Sequence, residues 1–387
     1  MYRYRSRRTV PPGRQVVRGV AEASGASPGS TGVAVGVGQP SRPARPTLEM
    51  VAAAAGVSRG TASRALNGEP NVSSRAVDAV IRAAAELGYR PNLTARSLVL
   101  GRSDSVALVI SESDQRLFTD PFFAAMMRTV HRELSAASTQ LVLALARGDR
   151  EREQLVRFAA GRHLDGVLLI SLRDGDPMPA ELERAGIPVV TAGRGTVPVE
   201  TEQSSGTNAP GCWVDVDNRG GARAAVEHLT GLGRREIVTI AGPQDMSPGR
   251  DRMLGWTDAL AAAGLPARAT SVVFGDFTEV SGYIAMRDLL HRLPTIDAVF
   301  AASDLMALGA LRALRMAGRR VPQDVAVVGF EDAPAARLAD PPLTTVRQPV
   351  DELGKLMVRI LLARIRGEST VDGQVVLSTE LVRRSSA

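Results

Sequence analysis

The sequence predicts a small all-α head followed by a two-lobed α/β unit built on parallel sheets, with an unstructured tail in front. Three observations carry that expectation. Residues 47–67 (TLEMVAAAAGVSRGTASRALN) spell a helix, a glycine turn and a second helix. After Gly101, short apolar runs alternate with helix-like stretches in a βαβ rhythm. Residues 1–46 are rich in Arg, Gly, Pro, Ser and Val without a helical period, so disorder is expected there.

The tail holds eight arginines against Glu22 alone, a charge of +7 where the whole chain sums to +6, so the remainder carries −1. A basic arm adding nonspecific DNA affinity and a dispensable extension both fit this composition. The G-x-S-x-G match at 25–29 lies in the tail without strand, helix or partner histidine, and reads as coincidence.

The head comes next. Leu48, Val51, Ala52 and Ala55 recur at spacings of three and four, the apolar stripe of a short helix. Gly56 breaks the pattern, Val57 can tuck inward, and Ser58 suits the N-cap of a second helix. On that helix Ala62, Ala65 and Leu66 point one way, and Arg59, Gly60, Ser63, Arg64 and Asn67 the other. Such a face suits a major groove, where arginine can take guanine O6 and N7 as a pair; a helical hairpin with a solvated polar face would share the pattern. Val77, Val80, Ile81, Ala84 and Leu87 form a third stripe, with Ser73 or Ser74 as cap and Gly88 as stop.

Beyond Gly101, strands are expected at 106–110, 141–146, 166–170, 188–192, 237–241, 271–274, 298–302 and 325–329. Helices are expected at 122–137, 151–160, 220–232, 252–263, 279–290, 307–317 and 351–364. Continuous rather than alternating apolar strands point to parallel sheets covered on both faces. About 280 residues of this rhythm are most simply two similar lobes.

Composition excludes several classes. At 387 residues and 44% hydrophobic content the chain can form two or three domains with sizeable cores. No apolar run approaches the ~18 residues of a membrane span, and no signal peptide is recognisable. Cys212, the single cysteine, excludes an intrachain disulfide and suits a reducing cytoplasm. His131, His163, His228 and His291 lack metal-ligand spacing, and no phosphate loop or catalytic constellation appears, so neither metal, cofactor nor enzymatic activity is expected.

The run Ala55-Gly56-Val57-Ser58, Thr61, Ser63-Arg64, Leu66-Asn67-Gly68, Leu87-Gly88-Tyr89, Pro91-Asn92, Ala95 and Leu98 closely resembles the lactose-repressor (LacI/GalR) family of bacterial transcription factors. The resemblance covers about residues 47 to 384. It implies a helix-turn-helix head at 47–91, a hinge helix or linker at 92–103, and a periplasmic-binding-protein-like effector and dimerisation core at 104–387. Three crossings between lobes are implied, with the N-lobe at about 105–197 and 331–348 and the C-lobe at about 212–330 and 349–387. The polar stretch 196–211 is longer than the family's connection there, and reads as an exposed loop.

By position in the motif, Arg59, Gly60 and Arg64 stand where the family reads base edges, and Ser58, Thr61, Ser63 and Asn67 where it contacts phosphates. Gly60 departs from the pattern, having no side chain to read with. The hinge would run roughly 93–98, with Ala95 facing its partner hinge and Leu98 wedging into a base step from the minor groove. Six residues are too few for a stable isolated helix, so the hinge suits a switch in a homodimer reading a pseudo-palindrome.

A sugar site needs an aromatic ring face and planar charged groups for paired hydroxyls. Matched positions offer Asp120, Phe122, Phe123, Arg252, Phe277 and Asp304, with Asp276, Glu331 and Asp332 weaker. One of Phe122 and Phe123 would be core, Arg252 could be a surface salt-bridge partner, and Asp304 could also cap the helix that follows. The resemblance thus implies a cytoplasmic, nucleoid-associated repressor of carbohydrate-utilisation genes, released from a palindromic operator by a sugar and without a membrane partner. A corepressor-dependent regulator resembling the purine repressor, a dual activator and repressor, and a solute-binding protein are the alternatives.

Overall fold

A computed structural model describes residues 46–66, 68–89, 103–194, 211–368 and 373–387. The chain divides into two units, Met1–Pro91 and Asn92–Ala387. The tail up to residue 45, Asn67, the hinge positions Ala95 and Leu98, and residues 196–210 of the polar stretch lie outside the described residues.

The first unit holds α1 (Leu48–Ala54), α2 (Arg59–Leu66) and α3 (Ser74–Leu87). Thr47 caps α1 by accepting the Met50 amide at 3.4 Å. Gly56 sits at φ +66°, a left-handed turn that a side chain would strain, and the Ser58 hydroxyl then accepts the Thr61 amide at 3.1 Å to start α2. Ser73 caps α3, and Gly88 ends it in the left-handed conformation. Val51, Ala62 and Val80, one from each helix, are fully buried at the centre of a core made mostly of alanines, whose short side chains let three short helices approach closely.

The second unit contains two six-stranded sheets. The first has the order β11-β5-β4-β3-β1-β2, from β1 (Ser105–Ile110), β2 (Gln140–Leu145), β3 (Gly166–Ile170), β4 (Val189–Ala192), β5 (Cys212–Val216) and β11 (Gln374–Leu377), all parallel. Its helices are α4 (Asp114–Thr119), α5 (Pro121–Ala136), α6 (Asp149–Phe158), α7 (Met178–Arg184) and α13 (Val350–Arg366). The second sheet has the order β12-β10-β9-β8-β6-β7, from β6 (Ile237–Ala241), β7 (Val272–Phe274), β8 (Ala298–Ala301), β9 (Ala326–Glu331), β10 (Thr344–Arg347) and β12 (Glu380–Val382). Only β12 runs antiparallel in it. With this sheet go α8 (Asn218–Gly231), α9 (Ser247–Ala262), α10 (Glu279–Arg292), α11 (Asp304–Met316) and α12 (Pro334–Leu338).

The apolar strands are explained by burial on both faces. In β1, Val106, Leu108 and Ile110 join one core beside α5 and α13, while Ala107 and Val109 join another on the opposite face. The second sheet is sandwiched likewise between a core beside α10 and α11 and one beside α8 and α9.

The expected division of the lobes is corrected by the strand pairing. Residues 331–348 do not return to the N-terminal lobe, because β10 pairs with β9 and β12. Residues 212–216 and most of 349–377 belong instead to the N-terminal lobe, since β5 and β11 pair there and α13 packs on α5 and on β3, β4 and β5. The three crossings fall at residue 217, at 348–349 and at 378–379.

Candidate functional site

The surface of the head that suits DNA is carried by α2. Arg59, Gly60 and Arg64 are exposed, and Ser58 is exposed beside half-buried Thr61 and Ser63. Ala62 and Ala65 on the other face are buried. Arg59 Nε lies 2.9 Å from Glu49 Oε1 of α1, with both side chains largely exposed. Arg64 Nε donates to the Gly60 carbonyl at 3.3 Å, and the Ser58 and Thr61 hydroxyls lie 2.9 Å apart. The Glu49 carboxyl is held below its ordinary pKa, first by a backbone hydrogen bond and then by Thr47, so it stays ionised and holds Arg59 by charge. Such exposed pairs are weak and yield readily to a stronger anion. A Cβ at Gly60 would meet only the Ser58 hydroxyl, at 3.9 Å, so the missing side chain leaves open surface there.

The second candidate lies in the Asn92–Ala387 unit, at the carboxyl ends of the strands, where open parallel sheets place their ligands. A cavity there is lined by residues at or just beyond the ends of β1, β3, β4, β5, β6, β7, β9 and β10. Asp120, Phe122, Arg252 and Phe277 line it, as does Glu331.

Phe123 and Asp304 do not line it, which corrects two expectations. Phe123 is fully buried among Met126, Val130 and Leu134, edge-on to Phe122 at 5.4 Å, because consecutive residues of α5 face different sides. Asp304 is also fully buried. It accepts the Ala333 amide at 2.7 Å and receives a short hydrogen bond from the Thr345 hydroxyl, tying α11 to the segment after β9 and to β10 within one lobe. Gly329 makes room for it, since a Cβ there would sit 2.3 Å from Asp304 Oδ1. Ser303, not Asp304, caps α11. Asp276 is held by Thr278 and Ser281, and Asp332 by Arg337, Arg347 and Arg384.

Arg252 is 3% exposed rather than a surface partner. Its guanidinium lies 3.9 Å from the Phe330 ring centroid, Nε donates to Asn218 Oδ1 at 2.9 Å, and Nη1 donates to the Ala302 carbonyl at 2.6 Å. Glu331 lies 3.9 Å away. Burial lowers the Arg252 pKa to about 10, which leaves it charged at neutral pH.

Arg116 is the principal residue that sequence reasoning missed. It pairs with Glu112, lies 3.6 Å from Asp120, and packs 4.8 Å from the Phe277 ring centroid. Phe277, 3% exposed with Arg252 at 5.8 Å, therefore orders two arginines rather than offering a bare platform. Half-buried Phe122 presents the more open ring. Asp120 also caps α5, accepting the Phe122 amide at 3.0 Å. Asp215 and Asn218 were missed as well: Asp215 accepts the Val216 amide, Asn218 Nδ2 at 3.0 Å and Arg194 Nε at 3.1 Å.

Burial raises the carboxyl pKa of Asp120, Asp215 and Glu331. The Asp120 charge raises Glu331 further, while Arg116 opposes the rise at Asp120 and Arg252 the rise at Glu331. Ser171, Phe277 and Glu331 all hold positive φ (64°, 68° and 120°) at strand ends facing the cavity. Backbone strain of this kind concentrates at binding sites held by a rigid frame. The arrangement offers planar acceptors, planar donors and one aromatic face, a set able to bind vicinal hydroxyls in pairs. Among the described residues no cluster of His, Cys, Asp and Glu is arranged to hold a metal, and no helix is long and apolar enough to cross a membrane.

Residues 47–92 match the model of bacterial regulatory proteins of the lacI family, and residues 226–387 match a periplasmic binding protein-like domain. Over 342 residues the chain is 52% identical to the HTH-type transcriptional regulator CelR of Thermobifida fusca, covering 88% of this chain and 98% of that one. A solved complex of the transcriptional regulator CelR with cellobiose is 51% identical, with a TM-score of 0.68, over 89% of this chain and all of that one. The lac repressor dimer bound to operator and the anti-inducer ONPF is 27% identical, with a TM-score of 0.75, over 88% and 98%.

Proposed function

The chain belongs to the lacI family of bacterial regulatory proteins and is a DNA-binding transcriptional regulator, and from that premise we propose a sugar-released repressor of carbohydrate-utilisation genes. The effector is a short glucose-type saccharide, with cellobiose the first candidate. The observation that carries this reading is the cavity in which Arg116, Asp120, Arg252 and Glu331 meet around Phe277 and Phe122. The CelR–cellobiose complex, at 51% identity, supports the choice of sugar. The protein acts by binding, in the cytoplasm, and no catalytic role is assigned to it.

In this reading residues 47–91 bind DNA, 92–103 form the hinge, and 104–387 bind effector and dimerise. Arg59 and Arg64 read a half-site around Gly60, while Ser58, Thr61, Ser63 and Asn67 contact phosphates. The exposure of Arg59 and Arg64 on one face of α2 supports this. For the hinge, Ala95 facing its partner and Leu98 in the minor groove rest on the sequence motif. The lac repressor dimer on its operator supports a homodimer on a pseudo-palindrome.

The test is footprinting of the purified protein on its own upstream region, followed by titration with cellobiose, other sugars and nucleobases. A protected palindrome released by cellobiose is expected. Absence of any protected palindrome at physiological salt refutes the repressor; tightening by a nucleobase indicates a corepressor instead.

A further inference from the structure

Charges pair across the two lobes at the cavity, and they do so in both directions. Arg173, after β3, pairs with Asp245, after β6. Asp174 receives Arg250 of α9, and Arg194, after β4, reaches Asp251 of α9. The N-terminal lobe thus contributes two arginines and an aspartate, and the other lobe two aspartates and an arginine. Beside these pairs the Asp174 amide donates to the Asp245 carbonyl at 2.8 Å.

Each side of this contact is braced within its own lobe. Arg194 is held by Asp215, which is 3% exposed, and Arg250 also donates to the Gln244 carbonyl at 3.1 Å. Arg173, Asp174 and Arg194 line the effector cavity, as does Gln348 at the second covalent crossing. The cavity is therefore bounded both by the chain crossings and by the paired charges.

We propose that these three ion pairs form a latch that completes closure of the lobes over the effector and limits it to a saccharide short enough to lie wholly inside. The proposal rests on the sugar-binding reading above and specifies its length. The alternating polarity fixes the register, since a slide of one position sets like charges opposite one another. Partly exposed pairs are individually weak and screened by salt, so the latch holds through their number and can still open for exchange. A longer saccharide would have to pass between the lobes and break at least one pair.

The experiment is calorimetric titration of the full chain with cellobiose, cellotriose and cellotetraose at low and high salt. The proteins are wild type, Arg250→Asp, Asp174→Arg and the charge-swapped double variant. Exchange of the residue-174 amide, followed without ligand, reports the latch independently of any sugar. The latch predicts a preference for cellobiose over the longer chains. Each single swap should weaken cellobiose binding, by about two- to fivefold for each pair lost. It should also flatten the length preference and speed exchange at residue 174, and the double swap should recover all three. Single swaps that leave affinity, length preference and exchange unchanged overturn the latch, and so does a double swap that recovers nothing. If wild type binds none of the saccharides while exchange at residue 174 follows the swaps, the sugar reading and the length limit fall and the latch stands.

Discussion

The head and the proposed effector cavity use arginine in opposite ways. Arg59 and Arg64 stand exposed, one leaning on an exposed carboxylate and the other on a helix carbonyl. Arg116 and Arg252 are largely buried, each against aromatic rings and each beside carboxylates. An exposed arginine costs little to detach, so it can exchange its partner for a base or a phosphate. A buried arginine is fixed before the ligand arrives, which favours directed hydrogen bonding but makes the fold depend on it. Substitution in the cavity should therefore affect stability and binding together, whereas substitution on α2 should affect recognition alone.

The largest effect is expected at Arg252. Changing it to Met strands the Ala302 carbonyl, Asn218 and Glu331, and loss of one buried partner typically costs about 3–5 kcal/mol. Denaturant unfolding of the Asn92–Ala387 unit measures this; a loss below about 1 kcal/mol would blur the contrast with the head.

Next comes pH. Burial pushes Asp304 up to about 7, so in the folded protein it keeps a proton that the unfolded chain has already released. The stability tied to that proton is full below the ordinary carboxylate range and disappears as pH rises through about 7. Asp120, Asp215 and Glu331 act in the same direction. Thermal unfolding between pH 5 and 8 should show these four carboxyls lowering stability as pH rises, against the opposite slope of His228, whose pKa burial lowers, with Asp304 contributing on the order of 1 kcal/mol per pH unit at most. Asp304→Asn should flatten the slope; an unchanged slope would place the titration elsewhere.

On α2, Arg64→Ala should cost about 1–3 kcal/mol of discrimination between operator and mutated half-sites, read by competition binding, while the melting of the head stays nearly unchanged. The smallest effect is expected for Glu49→Gln, which frees Arg59 from its carboxylate and should tighten operator binding by a few-fold at most. A large change there would mean that Glu49 does more than hold Arg59.

The same contrast decides what could be read from the sequence. The head is a local code: Val51, Ala62 and Val80 follow helical spacing, and Ser58, Ser73, Gly56 and Gly88 mark their ends within a few residues. The strands 106–110 and 166–170 were equally legible, because burial on both faces leaves continuous apolar runs. The lobe assignment was not, because Thr344–Arg347 reads alike in either sheet and only its register with Val328 to Glu331 decides. Short edge strands such as β11 and β12 are half-exposed and lack the apolar run. In the cavity, Arg252 and Phe277 were reached by matched position. Arg116 was not, since the surrounding SDQRLFTD reads as polar surface and its burial depends on Phe277, far along the chain. Asp215 and Asn218 were lost with the unrecognised strand β5.

The most direct test of the division between a reading surface and a buried effector site is fluorescence anisotropy of labelled operator DNA, titrated with cellobiose, for wild type and Arg252→Met. The account predicts that both bind operator and that the sugar releases only the wild type. An Arg252→Met protein still released at the wild-type cellobiose concentration would contradict it.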